Sequence, residues 1–301
     1  IMPSEVSPVG FTARWSPATV ATNYLLDVST NAAFNPFVGG YGNRRVGDVA
    51  VCAVTGLAAN CTYYYRVRAQ NGGGISGNSE AIEIITLSVA PTALAATEIT
   101  ESGFTANWAG STGATNYLLD VATDGGFANF VAGYQDLFCG DVLSAPVIGL
   151  FAGSNYCYRV RAQNGGGASA NSSVIAVSTV PAAPVAGEAT EITETGFTAN
   201  WSASPGATNY LLDVAMDDEF TAFADGYQNL SVGAAVSRSV TGLSPASVVQ
   251  LRWTHNTTKG RPTSRWNRPF FTFFNYIFTF NPSQKVLFFF LSSHQYGQYT
   301  L

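Results

Sequence analysis

The chain has 301 residues, of which 47% are hydrophobic and 11% charged, with 30 Gly and 13 Pro. This apolar content excludes a disordered polymer, and the small share of Gly and Pro excludes a collagen-like one. All 19 acidic residues lie in residues 1–252 with nine Arg and no Lys, and an acidic body of this kind repels phosphate backbones, which argues against a nucleic-acid partner.

Aromatic residues recur along residues 1–252 at a fixed interval of 93 positions. The recurring residues are the tryptophans Trp15, Trp108 and Trp201 and the tyrosines Tyr24, Tyr117 and Tyr210. Each of these tyrosines is the second residue of the string Asn-Tyr-Leu-Leu-Asp-Val. An interval this long, kept without an insertion, exceeds the 20–50 residues of solenoid repeats and indicates whole domains in tandem.

Within one period the hydrophobic pattern is that of β-strands. Residues 103–108 and 156–162 alternate apolar and polar side chains, as half-buried strands do, and a strand over 117–122 turns Tyr117, Leu119 and Val121 to one side. The Asn-Gly-Gly-Gly run after the third stretch supplies residues that turn easily. No stretch of 11 residues keeps a helical period, so we expect a sandwich of two antiparallel sheets with the tryptophans and tyrosines in its core.

The order of these signals resembles the fibronectin type III domain. A Trp closes the second strand, a Tyr opens the third, and a Gly-Leu pair precedes the string Tyr-x-x-Arg-Val-x-Ala-x-Asn-x-x-Gly. The resemblance covers residues 1–252 and implies tandem immunoglobulin-like sandwiches in an elongated array. It also implies a tyrosine corner, in which a hydroxyl bonds back to the preceding loop, at Tyr63 and Tyr156. The third repeat has Val249 there.

The period predicts three domains and a tail. Repeat 1 covers residues 1–87 with its first strand clipped, repeat 2 covers 88–180, and an incomplete repeat 3 covers 181–252. The connectors are short and contain proline, which favours extended chain. The Ala-rich, nearly Lys-free style resembles large secreted or surface proteins of bacteria, and the chain reads as a fragment without a targeting segment.

The repeat similarity stops after Arg252, and residues 253–301 form an aromatic-rich tail. This tail holds five basic residues, no acidic residue and nine of the 20 Phe. One interpretation is a lost nucleotide, because restoring one G after the Arg252 codon gives Arg-Val-Asp-Ala-Gln, close to the Arg-Val-Arg-Ala-Gln of the other repeats. The rivals are an atypical last strand within residues 270–280 and a membrane-surface anchor. Resequencing the gene decides between them.

The composition offers few candidates for catalytic residues. Residues 1–252 contain no His, so neither a Ser-His-Asp nor a Cys-His arrangement can form there. We predict no catalytic, cofactor-binding or metal-binding residue. The acidic run Asp217-Asp218-Glu219 invites a calcium interpretation, but repeat 1 has Asn-Ala-Ala at the matching positions, so a solvated turn is the better account.

The remaining motifs have structural or surface interpretations. In the fold that the resemblance implies, Asp27 neighbours Arg66 and Arg68, and Asp120 neighbours Arg159 and Arg161. We expect these to be exposed pairs worth about 0.2–1 kcal/mol, so that charge reversal at Asp120 costs little. The side chains expected to point outward, and so to form a surface patch, are Tyr64, Leu25, Leu118 and Leu211.

Four cysteines occur at positions that no two repeats share. They are Cys52, Cys61, Cys139 and Cys157. The pairings Cys52–Cys61 and Cys139–Cys157 are candidates for disulfides in an oxidising exterior, and free buried thiols are the alternative.

Three functions follow as hypotheses. The first is a non-catalytic extracellular structural and interaction module, acting as a spacer or adhesion array in a larger secreted or cell-surface protein. The second is a glycan-binding accessory region of an extracellular hydrolase, which predicts outward-facing aromatic rings in one plane. The third is an enzyme in its own right. The expected partners are neighbouring domains and an unassigned protein or glycan, with no nucleic acid, cofactor or membrane.

Overall fold

A computed structural model describes residues 2–245, 247, 249–256 and 274–276 of the chain. These residues form strands and contain no helix, which confirms the all-β prediction. They divide into two compact units. The first comprises the chain up to Glu98 with Phe104–Val147 and Asn155–Val177, and the second comprises Ile99–Gly103, Ile148–Ser154 and the chain from Ser178 onward.

The strands of repeat 1 form two antiparallel sheets in the first unit. They are β1 (Ser4–Ser7), β2 (Gly10–Arg14), β3 (Asn23–Ser29), β4 (Arg44–Gly47), β5 (Val51–Thr55), β6 (Thr62–Asn71), β7 (Gly74–Ile75) and β8 (Ile82–Ile85). One sheet has the order β1-β2-β5, and the other has the order β4-β3-β6-β7, with β8 also paired to β6.

A single hydrophobic core fills the space between these two sheets. Phe11, Ala13 and Trp15 from the first sheet are buried together with Leu26 and Val28 from the second. The inward residues occupy alternate positions on β2 and β3 because successive strand side chains point to opposite faces. The period of two in the sequence therefore specifies which side chains make the core.

Repeat 2 repeats this strand order. Its strands are β9 (Thr92–Thr97), β10 (Gly103–Ala109), β11 (Asn116–Ala122), β12 (Leu137–Gly140), β13 (Ser144–Ile148), β14 (Asn155–Asn164), β15 (Gly167–Ala168) and β16 (Ile175–Ser178). The sheets have the orders β9-β10-β13 and β12-β11-β14-β15, and β16 pairs with β14. The register of β11 on β14 places Asp120 opposite Arg159, as β3 and β6 place Asp27 opposite Arg66.

The third repeat lies in the second unit. Its strands are β17 (Thr190–Thr193), β18 (Gly196–Asn200), β19 (Asn209–Ala215), β20 (Leu230–Ser231), β21 (Ser237–Thr241) and β22 (Val249–Asn256), followed by β23 (Phe274–Tyr276). The sheet orders are β17-β18-β21 and β20-β19-β22-β23. The described residues include no helix long and apolar enough to span a membrane.

Strand β22 passes through Arg252, where the composition changes, and continues beyond it. β22 pairs with β19 as far as Asn256, and Trp253 is buried against Trp201, with 5.8 Å between the ring centroids. Tyr276 of β23 lies opposite Val249, the register that Ile84 takes opposite Tyr63 in repeat 1. β23 therefore occupies the position of the last strand of the sandwich. The frameshift stays a prediction. The tail residues beyond those of β22 and β23 lie outside the described part of the chain.

Candidate functional site

The recurring tryptophans and tyrosines lie between the sheets. The three tryptophans are 5%, 1% and 5% exposed, and Tyr24, Tyr117 and Tyr210 are each 2% exposed. Each Trp packs on the Tyr of its own repeat, at centroid distances of 5.6, 5.7 and 6.0 Å. The tyrosine hydroxyls accept backbone N–H bonds from Ala18, Ser111 and Ser204. These rings are unavailable as stacking platforms for a sugar.

Tyr63 has the geometry of a tyrosine corner. Its side chain is buried, and its hydroxyl accepts a 2.9 Å bond from the backbone N–H of Ala58. Tyr156 of repeat 2 is also buried, on β14. Val249 is buried at the corresponding position of repeat 3 and has no hydroxyl to make this bond. The bond ties the loop before β6 to the start of that strand.

Substituting Tyr63→Phe should lower the free energy of unfolding of repeat 1 by about 1–3 kcal/mol, because the part-buried N–H of Ala58 loses its acceptor. Hydrogen exchange at the Ala58 amide and urea unfolding both measure this change in the free energy of unfolding. Tyr64→Phe is the matched control, since the Tyr64 hydroxyl bonds Glu83 at an exposed site. Equal losses in the two variants would contradict the corner's role.

The aspartates of the recurring strand are buried, which corrects the expectation that they form exposed pairs. Asp27, Asp120 and Asp213 are 0%, 1% and 2% exposed. Asp27 accepts hydrogen bonds from Arg66 at 3.0 Å and from Arg68 at 3.1 Å. The pairs recur at Asp120, with Arg159 at 2.9 Å, and at Asp213, with Arg252 at 2.7 Å. The value for exposed pairs does not apply to such sites.

The long loop after the same strand covers these carboxylates. In each repeat the aspartate accepts a bond from the backbone N–H sixteen residues further on, in Asn43, Asp136 and Asn229. Those three residues have φ values of 56°, 53° and 52°, in the left-handed region where Asn and Asp are enriched among non-glycine residues. The carboxylate thus fixes both the arginines and the returning loop.

A phenylalanine from this loop lies under the arginine of each cluster. Phe34, Phe127 and Phe220 are buried, and their ring centroids are 4.1, 4.0 and 4.5 Å from the guanidinium carbons of Arg66, Arg159 and Arg252. We name each Asp, Arg and Phe set a bracing cluster. These phenylalanines were not predicted from the sequence, although they too recur at the interval of 93 residues.

The expected outward patch is only partly present. Leu25 is buried, at 6% exposure, while Leu118, Leu211 and Tyr64 are half-buried. Leu25 was expected to point outward because it alternates along β3 with residues that face the core. The sheet face that carries it is covered by the loop and by the arginine side chains, so alternation alone does not decide exposure.

The acidic run of repeat 3 is a capped turn. Asp217 accepts backbone bonds from Thr221 and Ala222 at 2.8 and 2.7 Å and a hydroxyl bond from Thr221. These bonds hold the pKa of the Asp217 carboxyl below its usual value, first through the Thr221 hydroxyl. Within the described ranges no group of three or more His, Cys, Asp or Glu is placed to hold a metal ion.

All four cysteines are free thiols, so neither candidate disulfide is present. Cys139 on β12 and Cys157 on β14 lie on either side of β11, so two strand spacings, or about 9.6 Å, are the least that separates them. This exceeds the reach of about 7 Å between Cα atoms. Cys52 on β5 belongs to one sheet, and Cys61 directly precedes β6 of the other. Burial raises the pKa of the Cys52 and Cys139 thiols, which disfavours reactive thiolates.

Within the first unit, the end of repeat 1 contacts two turns of repeat 2. The Asn164 side-chain amide donates bonds of 2.9 Å to Oδ1 of Asn60 and to the carbonyl oxygen of Thr86. A Cβ atom added to Gly113 would lie 1.5 Å from Nδ2 of Asn60. A side chain at position 113 would therefore have to displace that of Asn60, and φ is +74° there, which favours glycine.

Within the second unit, the same two positions meet again 93 residues later. A Cβ atom added to Gly206 would lie 2.3 Å from the carbonyl oxygen of Gly153. Gly153 and Gly206 correspond to Asn60 and Gly113 by the period of the sequence. We name this recurring contact of loop and glycine turn the repeat joint.

Gly113→Val should open the repeat joint of the first unit, because the new side chain displaces that of Asn60, whose Oδ1 accepts the bond from Asn164. We expect amide exchange in the turn at Asn164 to accelerate about tenfold or more, the equivalent of about 1.4 kcal/mol. Val20 provides the matched control, since it holds the corresponding position of repeat 1 at φ 57° and is 75% exposed. Val20→Gly should leave amide exchange in the turn at Asn164 unchanged. Equal exchange rates in the two variants would contradict the steric role of position 113.

Comparisons with known proteins find one similar sequence. No family model matches the chain. A stretch of 109 residues, 36% of the chain, is 32% identical to a Kelch domain-containing protein of Saccharolobus solfataricus, of which it spans only 14%.

Two solved structures are also similar to the chain. The chain is similar to chicken CNTN1 domains FN1–FN3 at a TM-score of 0.28 and 14% identity, covering 86% of this chain and 92% of that one. It is similar to a chicken tenascin segment of two fibronectin type III domains at 0.34 and 18%, covering 59% and 97%. Three features of the structure identify its fold: the strand orders, the buried Trp–Tyr pairs and the Tyr63 corner. The described chain is built of tandem sandwiches with the fibronectin type III fold.

Proposed function

We propose that this chain is a non-catalytic structural and interaction module, which spaces or presents other domains of a larger secreted or surface protein. The observation that carries the proposal is the repeat joint, because the same loop and glycine turn meet in both units. A chain that only linked independent domains would have no need of a fitted contact. A spacer benefits from one, since ordered joints limit domain motion.

The bracing clusters support the same proposal. Their charged side chains bond one another and the backbone of the covering loop, so these groups stabilise the sandwich and are not arranged around a reacting atom. We propose neighbouring domains as the principal partners, with no nucleic acid and no membrane. The protein or glycan that such an array would present or bind is left open.

Deleting residues 88–180 tests the spacer proposal, because it removes one whole period and joins repeat 1 to repeat 3 in register. The longest strand of repeat 2 has ten residues, so one domain is about 33 Å long. Small-angle scattering should show that the maximum dimension falls by about that length. A change of only a few ångström, as removal from a compact globule would produce, would overturn the proposal.

The glycan-binding alternative has weaker support. It predicts outward-facing aromatic rings in one plane, whereas the recurring tryptophans are buried. Among the described residues the most exposed phenylalanines are Phe138 and Phe151, at 69% and 79%. The corresponding residues of repeat 1 are Arg45 and Ala58, so these rings do not form a repeated platform.

A further inference from the structure

Two turns of repeat 2 form the surface that receives the end of repeat 1. One is the turn at Gly113, and the other is the turn after β14, at residues 164–167. The Asn164 side chain donates bonds to the end of repeat 1. A Cβ atom added to Gly166 would lie 2.1 Å from the carbonyl oxygen of Ile85, so the main chain of that end rests directly on the turn. We name such a pair of turns a joint face.

Repeat 1 has a joint face of the same construction, at residues 18–21 and 71–74. The Gly73 amide donates a 2.9 Å bond to Oδ1 of Asn71, and the matching bond of repeat 2 has the same length. The second turn of the face is therefore already formed in repeat 1. Less conformational entropy is lost when a partner binds to a turn that is ordered beforehand.

Within the described residues, nothing covers the joint face of repeat 1. Asn71 is exposed, whereas Asn164 is 7% exposed. No described residue accepts a bond from the Asn71 side-chain amide. A Cβ atom added to Gly72 or Gly74 would meet no atom within 4 Å, and residues of both turns line a cavity of about 500 Å³. The face thus presents an amide donor beside open glycine backbone.

The end of another sandwich has the chemistry that this face requires. In the first unit that end supplies the carbonyl oxygen of Thr86, which accepts a 2.9 Å bond from the Asn164 amide. Its main chain at Ile85 lies where glycine leaves room for close approach. The joint face of repeat 1 offers the same donor and the same room, so the same kind of partner fits it.

Val20 determines which sandwich ends fit. It stands in place of Gly113, and the three atoms nearest to a Cβ atom added to Gly113 all belong to the Asn60 side chain. Val20 would therefore displace an asparagine at that position of a partner, whereas a glycine there would leave room for it. Glycine is compatible with the loop, because Asn60 has a φ of 52° and repeat 2 carries Gly153 at this position.

We propose that the joint face of repeat 1 binds the end of another sandwich of the same fold, one that carries glycine in place of Asn60. The spacing is that of the first unit, because in the second unit a Cβ atom added to Gly206 would overlap the main chain of Gly153. The proposal rests on the spacer function proposed above and names the kind of domain that adjoins repeat 1.

The test adds a second copy of residues 1–93 in front of the full chain, in register because Ile1 aligns with Leu94. One fusion carries Asn60→Gly in the added copy. The matched control keeps Asn60, and a third fusion keeps Asn60 but carries Val20→Gly in the original chain. Isotope labelling of the original 301 residues alone distinguishes the two copies. Amide exchange at Gly73 of the labelled part is compared with that of the natural chain.

We expect the Asn60→Gly fusion to slow exchange at Gly73 about tenfold or more, because the turn becomes covered and Asn71 gains an acceptor. The control fusion should exchange like the natural chain, since Val20 displaces Asn60. The Val20→Gly fusion recreates the pair of Asn60 and Gly113, and should slow exchange as well.

Two results would overturn the proposal. One is unchanged exchange at Gly73 in the Asn60→Gly fusion, with the Val20→Gly fusion showing whether an added copy can bind at all. The other is equal slowing in the Asn60→Gly fusion and its control, which would remove the role of Val20. Scattering on the deletion of residues 88–180 tests the spacer function separately, so a failure here is distinguishable from a failure of that function.

Discussion

Replacing Asp120 with Ala should lower the free energy of unfolding of repeat 2 by about 3–5 kcal/mol, the usual cost of leaving a buried charge without its partner. Asp120 is 1% exposed, and its two oxygens bond Arg159 and the backbone N–H of Asp136. Removing the carboxylate leaves the partly buried guanidinium of Arg159 without this acceptor and also releases the loop. Both effects act on the same sandwich.

Hydrogen exchange measures this loss within one repeat, which matters because three domains need not unfold in one transition. Amides of β11 and β14 should lose protection in Asp120→Ala. Asp141→Ala is the control with the same change of charge, since Asp141 is exposed, and surface changes usually stay within about 0.5 kcal/mol. If the Asp120 variant kept full protection, the cluster would be no more than the surface pair that alternation predicted.

Replacing Trp108 with Ala should destabilise repeat 2 by about 3–5 kcal/mol, as truncation of large buried aromatic residues does. Trp108 is 1% exposed and packs on Tyr117 with 5.7 Å between ring centroids. The variant loses the burial of the indole and leaves a cavity between the sheets. It also removes the surface on which Tyr117 rests.

Phe138→Ala is the control for Trp108→Ala, because Phe138 belongs to the same repeat and is 69% exposed. Urea unfolding with hydrogen exchange on β10 and β11 should show a large loss for the buried ring and almost none for the exposed one. Similar losses from the two substitutions would show that the ring at position 108 is not a core residue.

The interior of each sandwich follows from the sequence to a large extent. The period of 93 residues relates the repeats, and the period of two along each strand assigns Trp108, Tyr117 and Tyr158 to one side. These are local properties of the chain, because a strand must turn successive side chains to opposite faces. The fold class and the aromatic core could therefore be predicted without coordinates.

The outer face of the second sheet was predicted wrongly at Leu25, Asp27 and Asp120. Alternation says only that a residue points away from the core, and it does not say what else lies there. The loop that covers these carboxylates returns sixteen residues later in the chain. A residue pattern within one strand contains no information about such a distant segment.

Periodicity is a local property, so the amino-acid pattern is sufficient to predict the repeat, the strands and the side of each strand that faces the core. The folded structure is needed to show which aspartates are buried, which turns meet at the repeat joint and that Cys139 and Cys157 lie too far apart to pair. Burial and distance depend on segments far apart in the chain, such as Asn60 and Asn164, whose contact exists only once the sheets have formed.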